Sequence, residues 1–230
     1  MLSLMRLEMK KFKFRGYILG ALIANVAIVG LLSLVNGDQV SKGNIDLNSY
    51  GTMLGVIDTF VRMTFIVFAS VLISRLVIDE FRSKSITVLF MYPINRKKLI
   101  AAKLLLIVIF TFLCIILSDI IVTAIYYGIS SFFKLSPDEL TADILMKNAV
   151  SMTMNALAAT GMSLIPIFIG MRKYSTPATI ISSLLIVAIV CSNNGGFSLS
   201  NIIAIPIALA VIGVIIAYLS IRNVERIDLV

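Results

Sequence analysis

Six stretches of this chain are apolar for so long that water is the wrong solvent for them, and this excludes most folds open to 230 residues. They run over about 17–35, 59–78, 99–127, 150–169, 176–191 and 199–221. A helix rises ~1.5 Å per residue, so ~20 apolar residues cross a ~30 Å hydrocarbon core. Lipid offers no partner for backbone N–H and C=O groups, so each segment must satisfy its own, as a helix does. The pattern predicts an all-α integral membrane protein with six transmembrane helices. Hydrophobic residues make up 59% and charged ones 14%, against roughly 45–50% and 25% in soluble domains. Six helices and their loops use nearly all of 1–230, so a single transmembrane domain is expected.

A net charge of +8 would suit nucleic acid, but a polyanion binder gathers its basic residues on one exposed face. Here they recur at the ends of apolar spans, so membrane lipid supplies the counterions and no nucleic-acid partner is expected. Sixteen of the 20 Lys and Arg residues fall in 1–15, 75–103, 172–173 and the tail beyond 221. Lys42, Arg62, Lys134 and Lys147 are the remainder. The positive-inside rule then places both termini in the cytoplasm, which requires an even number of spans. Within 1–15, Leu2, Met5, Met9 and Phe12 share a helical face beside Arg6, Lys10 and Lys13, the pattern of an interfacial helix. The following run, Tyr17 to Val35, exceeds the ~7–15 residues of a signal-peptide core and reads as a retained first span.

Several chemistries are missing. There is no histidine, which removes a histidine base, a Ser-His-Asp triad and imidazole metal sites. Cys114 and Cys191 have no second thiol nearby in sequence, so neither a disulfide framework nor a zinc site is indicated. None of the 13 glycines precedes a lysine, so the chain carries no P-loop and cannot hydrolyse ATP in that way by itself. No catalytic, cofactor or metal site is expected in it. Residues 17–127 and 149–221 show no match that would suggest inverted repeats.

Polar residues inside the spans are few. Asp58–Arg62 and Arg75–Asp79 are spaced for i, i+4 ion pairs near helix ends. Asn95 can cap a third helix from Arg96; from Leu99 to Tyr127 it would be ~44 Å long, more than lipid requires, so its first turns should project into the cytoplasm. Asp119 lies in the outer half of that helix, facing a transport path or already at headgroup level. The fourth span carries Asn155, Thr160, Gly161, Ser163 and Pro166, which serve close helix packing or line a pathway, with Pro166 kinking its end. Asn36 to Asp58 and Gly128 to Lys147 read as outer loops, the latter with a short helix opened by Ser136 and Pro137. Ser192 to Ser200 is either a plain loop or a re-entrant one.

The segment RLVIDEFRSKSITVLFMYPINRKKLIAAK, 75–103, differs from the rest. Seven basic residues surround Ile86 to Tyr92, an apolar run far too short to span. Ile86, Leu89 and Phe90 fall on one helical face, and Pro93 ends the helix by removing a donor. This is either a docking helix at the cytoplasmic surface between spans two and three, or an amphipathic turn resting on headgroups. Half-burial of its apolar face in a protein groove would remove a few hundred Å² from water, worth several kcal/mol at ~25 cal/mol/Å² before association costs.

Asp79-Glu80 followed by KSITVLFMYPINRKKLIAAK resembles the cytoplasmic loop of ABC-2 type transporter permeases. The matching positions are Glu80, the apolar helix Ile86 to Met91, Tyr92-Pro93, Asn95, the basic cluster Arg96 to Lys98, and Lys103. Ser85-Ile86 stands where that family often has Gly-Thr. The sequence-specific resemblance covers 79–103; the architecture extends it over the whole chain. It implies a bacterial plasma-membrane permease subunit, paired with a second identical or related permease. Its short coupling helix would dock on a separate cytoplasmic ABC ATPase that binds ATP and Mg. Glu80, Lys84, Ile86, Leu89, Phe90, Tyr92, Pro93 and Arg96 would form the coupling site. The second and fifth helices would line the path, offering Thr64, Ser70, Ser182 and Ser183, with Asp119 a further candidate. Similar small permeases export peptides or lipophilic toxins or confer immunity to them. The alternative is a non-transporting scaffold or sensor whose loop binds a signalling partner.

Overall fold

The computed structural model describes residues 14–42, 50–83, 96–133, 142–190, 193–194, 197–198 and 204–223. Of the expected interfacial helix over 1–15 only residues 14–15 are described, as the start of a longer helix, and the coupling helix over 84–93 lies outside these residues.

Apolar runs rich in Leu, Ile and Ala become helices because each added residue closes one more internal backbone hydrogen bond where no other partner exists. They are α1 (Phe14–Lys42), α2 (Tyr50–Ile73), α3 (Asp79–Arg82), α4 (Arg96–Phe133), α5 (Ala142–Met162), α6 (Pro166–Lys173), α7 (Thr176–Val190) and α8 (Ala204–Asn223). Among the described residues four stretches are long and apolar enough to cross a membrane: Gly16–Leu34, Met53–Arg82, Lys97–Ile129 and Asn148–Lys173. Thr176–Val190 and Pro206–Arg222 are shorter apolar helices. At ~1.5 Å per residue, the 15 residues of α7 reach ~22 Å, less than the hydrocarbon core.

Several boundaries differ from expectation. The outer loop drawn over 36–58 is largely helical, because α1 continues to Lys42 and α2 already begins at Tyr50. Likewise α4 continues to Phe133, beyond the expected Tyr127. Once nucleated, a helix accepts poor helix formers near its ends for up to ~1 kcal/mol each. At the fourth span the interruption falls over 163–165, one turn before Pro166, which opens α6. Pro166 has no N–H to give the Met162 carbonyl; Ile165 N–H takes that acceptor instead, at 3.0 Å, in a tighter i→i−3 turn. The helical fold has one exception among the described residues, an antiparallel ladder pairing Asn193 with Ser198 and Asn194 with Phe197. Gly195 and Gly196 lie between its strands in sequence, a dipeptide suited to a tight hairpin.

The chain divides into two units. The first comprises 1–13, 65–112 and 157–230; its core includes Phe65, Ile73, Ile78, Ile107 and Met162. Here α5 and α8 meet at small residues: a Cβ on Gly161 would lie 2.6 Å from Ala210 Cβ, and one on Gly213 would collide with the Gly161 carbonyl oxygen. In lipid, where no hydrophobic force drives helices together, such backbone approach supplies the van der Waals contact that does. The second unit comprises 14–64 and 113–156 and is centred on Ile28, Leu32, Ile57, Val61 and Val122. Its α1 exposes Leu19, Ile23 and Val26 at 60–74%, a surface that only lipid or another apolar chain would cover favourably.

Candidate functional site

The root of the 84–95 segment is built by a distortion in the second span. After Ile73 the helix widens into a π turn, Ser74–Ile78, closed by Asp79 N–H donating to the Ser74 carbonyl. Such turns insert a residue into the α-helical register and recur at functional positions. The consequence is local. The i, i+4 stacking of Arg75 on Asp79 is lost and the expected ion pair does not form; Asp79 Oδ1 instead accepts from Thr176 Oγ1 at 2.9 Å. The i, i+4 reasoning assumed a regular helix, which the π turn removes.

The altered register aims Glu80 inward. Lys103 Nζ, on α4, lies 2.6 Å from Glu80 Oε2 and also donates to the Leu76 carbonyl within the π turn at 3.2 Å. Both side chains are buried, at 2% and 10% exposure. A buried pair of this kind fixes geometry more than it adds stability, because desolvation offsets most of the Coulomb gain. Here it ties the residues just before the 84–95 segment to the helix that follows it. A second tie joins the same root to the turn between α6 and α7. Tyr174 adopts φ 45°, the left-handed region that non-glycine residues rarely occupy, and its ring lies 5.9 Å from that of Phe81. Close by, a Cβ on Gly170 would meet Thr179 Oγ1 and Ile78.

Of the residues expected to couple, Glu80 is therefore placed in a buried ion pair. Arg96 opens α4. Lys84, Ile86, Leu89, Phe90, Tyr92 and Pro93 lie outside the described residues. Of the expected path residues, Ser70 and Ser183 are buried against each other, Ser183 Oγ donating to Ser70 Oγ at 2.9 Å. Ser182 is buried and bonds the Thr179 carbonyl, while Thr64 bonds the Phe60 carbonyl and is partly buried. In this conformation the Ser70 and Ser183 hydroxyls join α2 to α7.

In the second unit the expected Asp58–Arg62 pair is present, with Arg62 Nη2 3.0 Å from Asp58 Oδ2. The same carboxylate oxygen accepts from Asn155 Nδ2 at 2.9 Å, tying α2 to α5. Both charged residues are buried and lie within an apolar span. Sequence reasoning missed Asp58 as an in-span carboxylate because it began that span at Thr59; the three-residue polar pattern Asp58, Arg62 and Asn155 was the available signal. Asp119 is also buried, and it lines a cavity in this unit.

Among the described residues no three His, Cys, Asp or Glu side chains converge to hold a metal ion. What the geometry defines is a multi-pass helical membrane protein in which the helix turns flanking residues 84–95 are joined by a buried ion pair. Residues 4–192 match the ABC-2 family transporter proteins, and the chain belongs to that family, a membrane component of ABC transporters and not itself a catalyst. It is 44% identical over 227 residues, 99% of this chain and the whole of the relative, to an uncharacterized protein, YcbO, of Bacillus subtilis (strain 168). No solved structure matches it.

Proposed function

We propose that this permease exports a peptide or lipophilic toxin, driven by a separate ATPase that grips the 84–93 segment. The observation that carries the coupling is the buried Lys103–Glu80 pair. A force delivered to a segment whose root is tied to α4 moves that helix instead of being lost in a slack connection. ATP and Mg act in the partner ATPase, and the ATPase closes two permease copies' handles toward each other. The copies are identical or related chains in the bacterial plasma membrane.

In this reading 1–230 is one permease domain with six spans, both termini are cytoplasmic, and 1–13 lies along the inner headgroups. Thr64, Ser70, Ser182 and Ser183 reach the pathway only when α2 and α7 part, since Ser70 and Ser183 now bond to each other. Lys84, Ile86, Leu89, Phe90, Tyr92, Pro93 and Arg96 supply the grip. The test is Leu89→Asp: insertion is retained, while co-purification of the ATPase and ATP-dependent export are lost. Normal stimulation of the ATPase by that variant refutes the assignment.

A further inference from the structure

In the second unit, α2, α4 and α5 enclose a cavity of about 640 Å³ whose lining includes Met53, Asp119, Thr123, Tyr126, Tyr127 and Met152. That volume falls within the ~300–1,000 Å³ of small-molecule sites. Its lining is overwhelmingly apolar apart from Asp119, which is the only carboxylate on it among the described residues. Asp119 is 4% exposed, and its Oδ1 is buried with no hydrogen-bond partner. One helical turn on, Thr123 Oγ1 is also buried and unpartnered. Leaving such groups unmatched in an apolar setting costs free energy that a structure carries only where something else compensates.

The nearby cation is engaged chiefly by Asp58, its Nη1 being buried with no hydrogen-bond partner. Arg62 lies within electrostatic reach of Asp119, but its Nη2 pairs with Asp58 Oδ2 at 3.0 Å and its Nε donates to the Asp58 carbonyl at 3.3 Å. Asp58 too acts on Asp119 electrostatically, so two carboxylates share one guanidinium. An ionised Asp119 would lack a matching positive charge of its own, and its unpartnered carboxyl lines the cavity. An inorganic cation would need several oxygen ligands to replace its water, ~6–8 for calcium, whereas this wall is mostly hydrocarbon. A diffuse organic charge on a greasy body needs no such shell, and tyrosine faces attract it.

We propose that this cavity binds a hydrophobic organic cation, with Asp119 as its counterion. Thr123 meets its polar edge, while Tyr126, Tyr127, Met53 and Met152 cover its apolar body. The inference deepens the export reading by naming the substrate class, and rests on that reading only for what happens to the ligand afterwards. Binding itself is tested without nucleotide or ATPase, so the Leu89→Asp result and this one fail independently.

The experiment is equilibrium binding of radiolabelled tetraphenylphosphonium to the purified full-length protein in detergent. Saturable binding is expected, weakened at least ~10-fold by Asp119→Asn and retained by Asp119→Glu. The uncharged analogue triphenylphosphine oxide should displace it poorly. Ala149→Phe, which fills the cavity and keeps the carboxylate, should abolish it, providing a second reading should Asp119→Asn elute aggregated. Equal affinity in wild type and folded Asp119→Asn, undiminished binding in Ala149→Phe, or displacement by the neutral analogue at the same concentration as by the cation overturns the proposal. An acyl chain as the natural occupant would give that last result.

Discussion

Lys103→Met removes one charge from the root of the 84–95 segment while keeping most of the stem that packs there. The Glu80 carboxylate, 10% exposed, would then remain buried opposite a thioether, and the Leu76 carbonyl would lose the donor now at 3.2 Å. Removing one member of a buried pair costs ~3–5 kcal/mol, most of it the uncompensated charge that stays behind. Chains of this size lose ~2–4 °C in Tm per kcal/mol, so the apparent Tm should fall by roughly 6–20 °C. Glu80→Gln alone should also be costly, because the buried ammonium loses the carboxylate now 2.6 Å away. The double variant, Lys103→Met with Glu80→Gln, should be less destabilised than the two single losses added together, since neither charge is then stranded. Coupling of ~1–3 kcal/mol is the expected departure from additivity. Size-exclusion of a fluorescent fusion after heating in detergent measures all four proteins without purification. A loss under ~2 °C for Lys103→Met, or strict additivity, refutes the claim that the pair is desolvated and interdependent. If the double variant is stable yet no longer supports transport, the charges serve transmission and not merely assembly.

The close approach of α5 and α8 predicts that Gly213→Ala, whose methyl would strike the Gly161 carbonyl oxygen, costs ~1–3 kcal/mol. Gly30→Ala, with open space around it, should leave the melting temperature unchanged or slightly raised in the same assay; equal losses would show that the glycine contact is not what limits packing. Ser183→Ala should cost only ~0.5–1.5 kcal/mol, as it removes the Ser70 link and its own bond to Ile180. A change in which substrates are transported, at unaltered melting temperature, would instead show Ser183 exposed on the pathway during transport.

How far the fold was legible differs between particular residues. Long apolar runs announce their helices, since the requirement acts locally: a backbone in lipid must bond to itself whatever surrounds it. The start of α4 at Arg96 falls where Asn95 in the sequence led one to expect it, and the break near Pro166 follows from a missing donor. The ends of α1, α2 and α4 were misjudged because Gly, Asn and Asp only weakly oppose extension of an existing helix. Arg75–Asp79 failed where Asp58–Arg62 succeeded, and the difference is the π turn over Ser74–Ile78. A π turn leaves no mark in composition or period.

Length, apolar patterning and the distribution of Lys and Arg determined by themselves that this chain dissolves in a bilayer as helices, and the 79–103 motif pointed to its family. Only the tertiary structure decided which polar groups meet. Glu80 and Lys103 are 23 positions apart, Asp58 and Asn155 97 apart, Ser70 and Ser183 113 apart. Membrane solvation acts residue by residue and can be read in one dimension. Pairing of buried charges depends on which helices lie side by side and on the rotation of each about its axis, and a single inserted π turn resets that rotation.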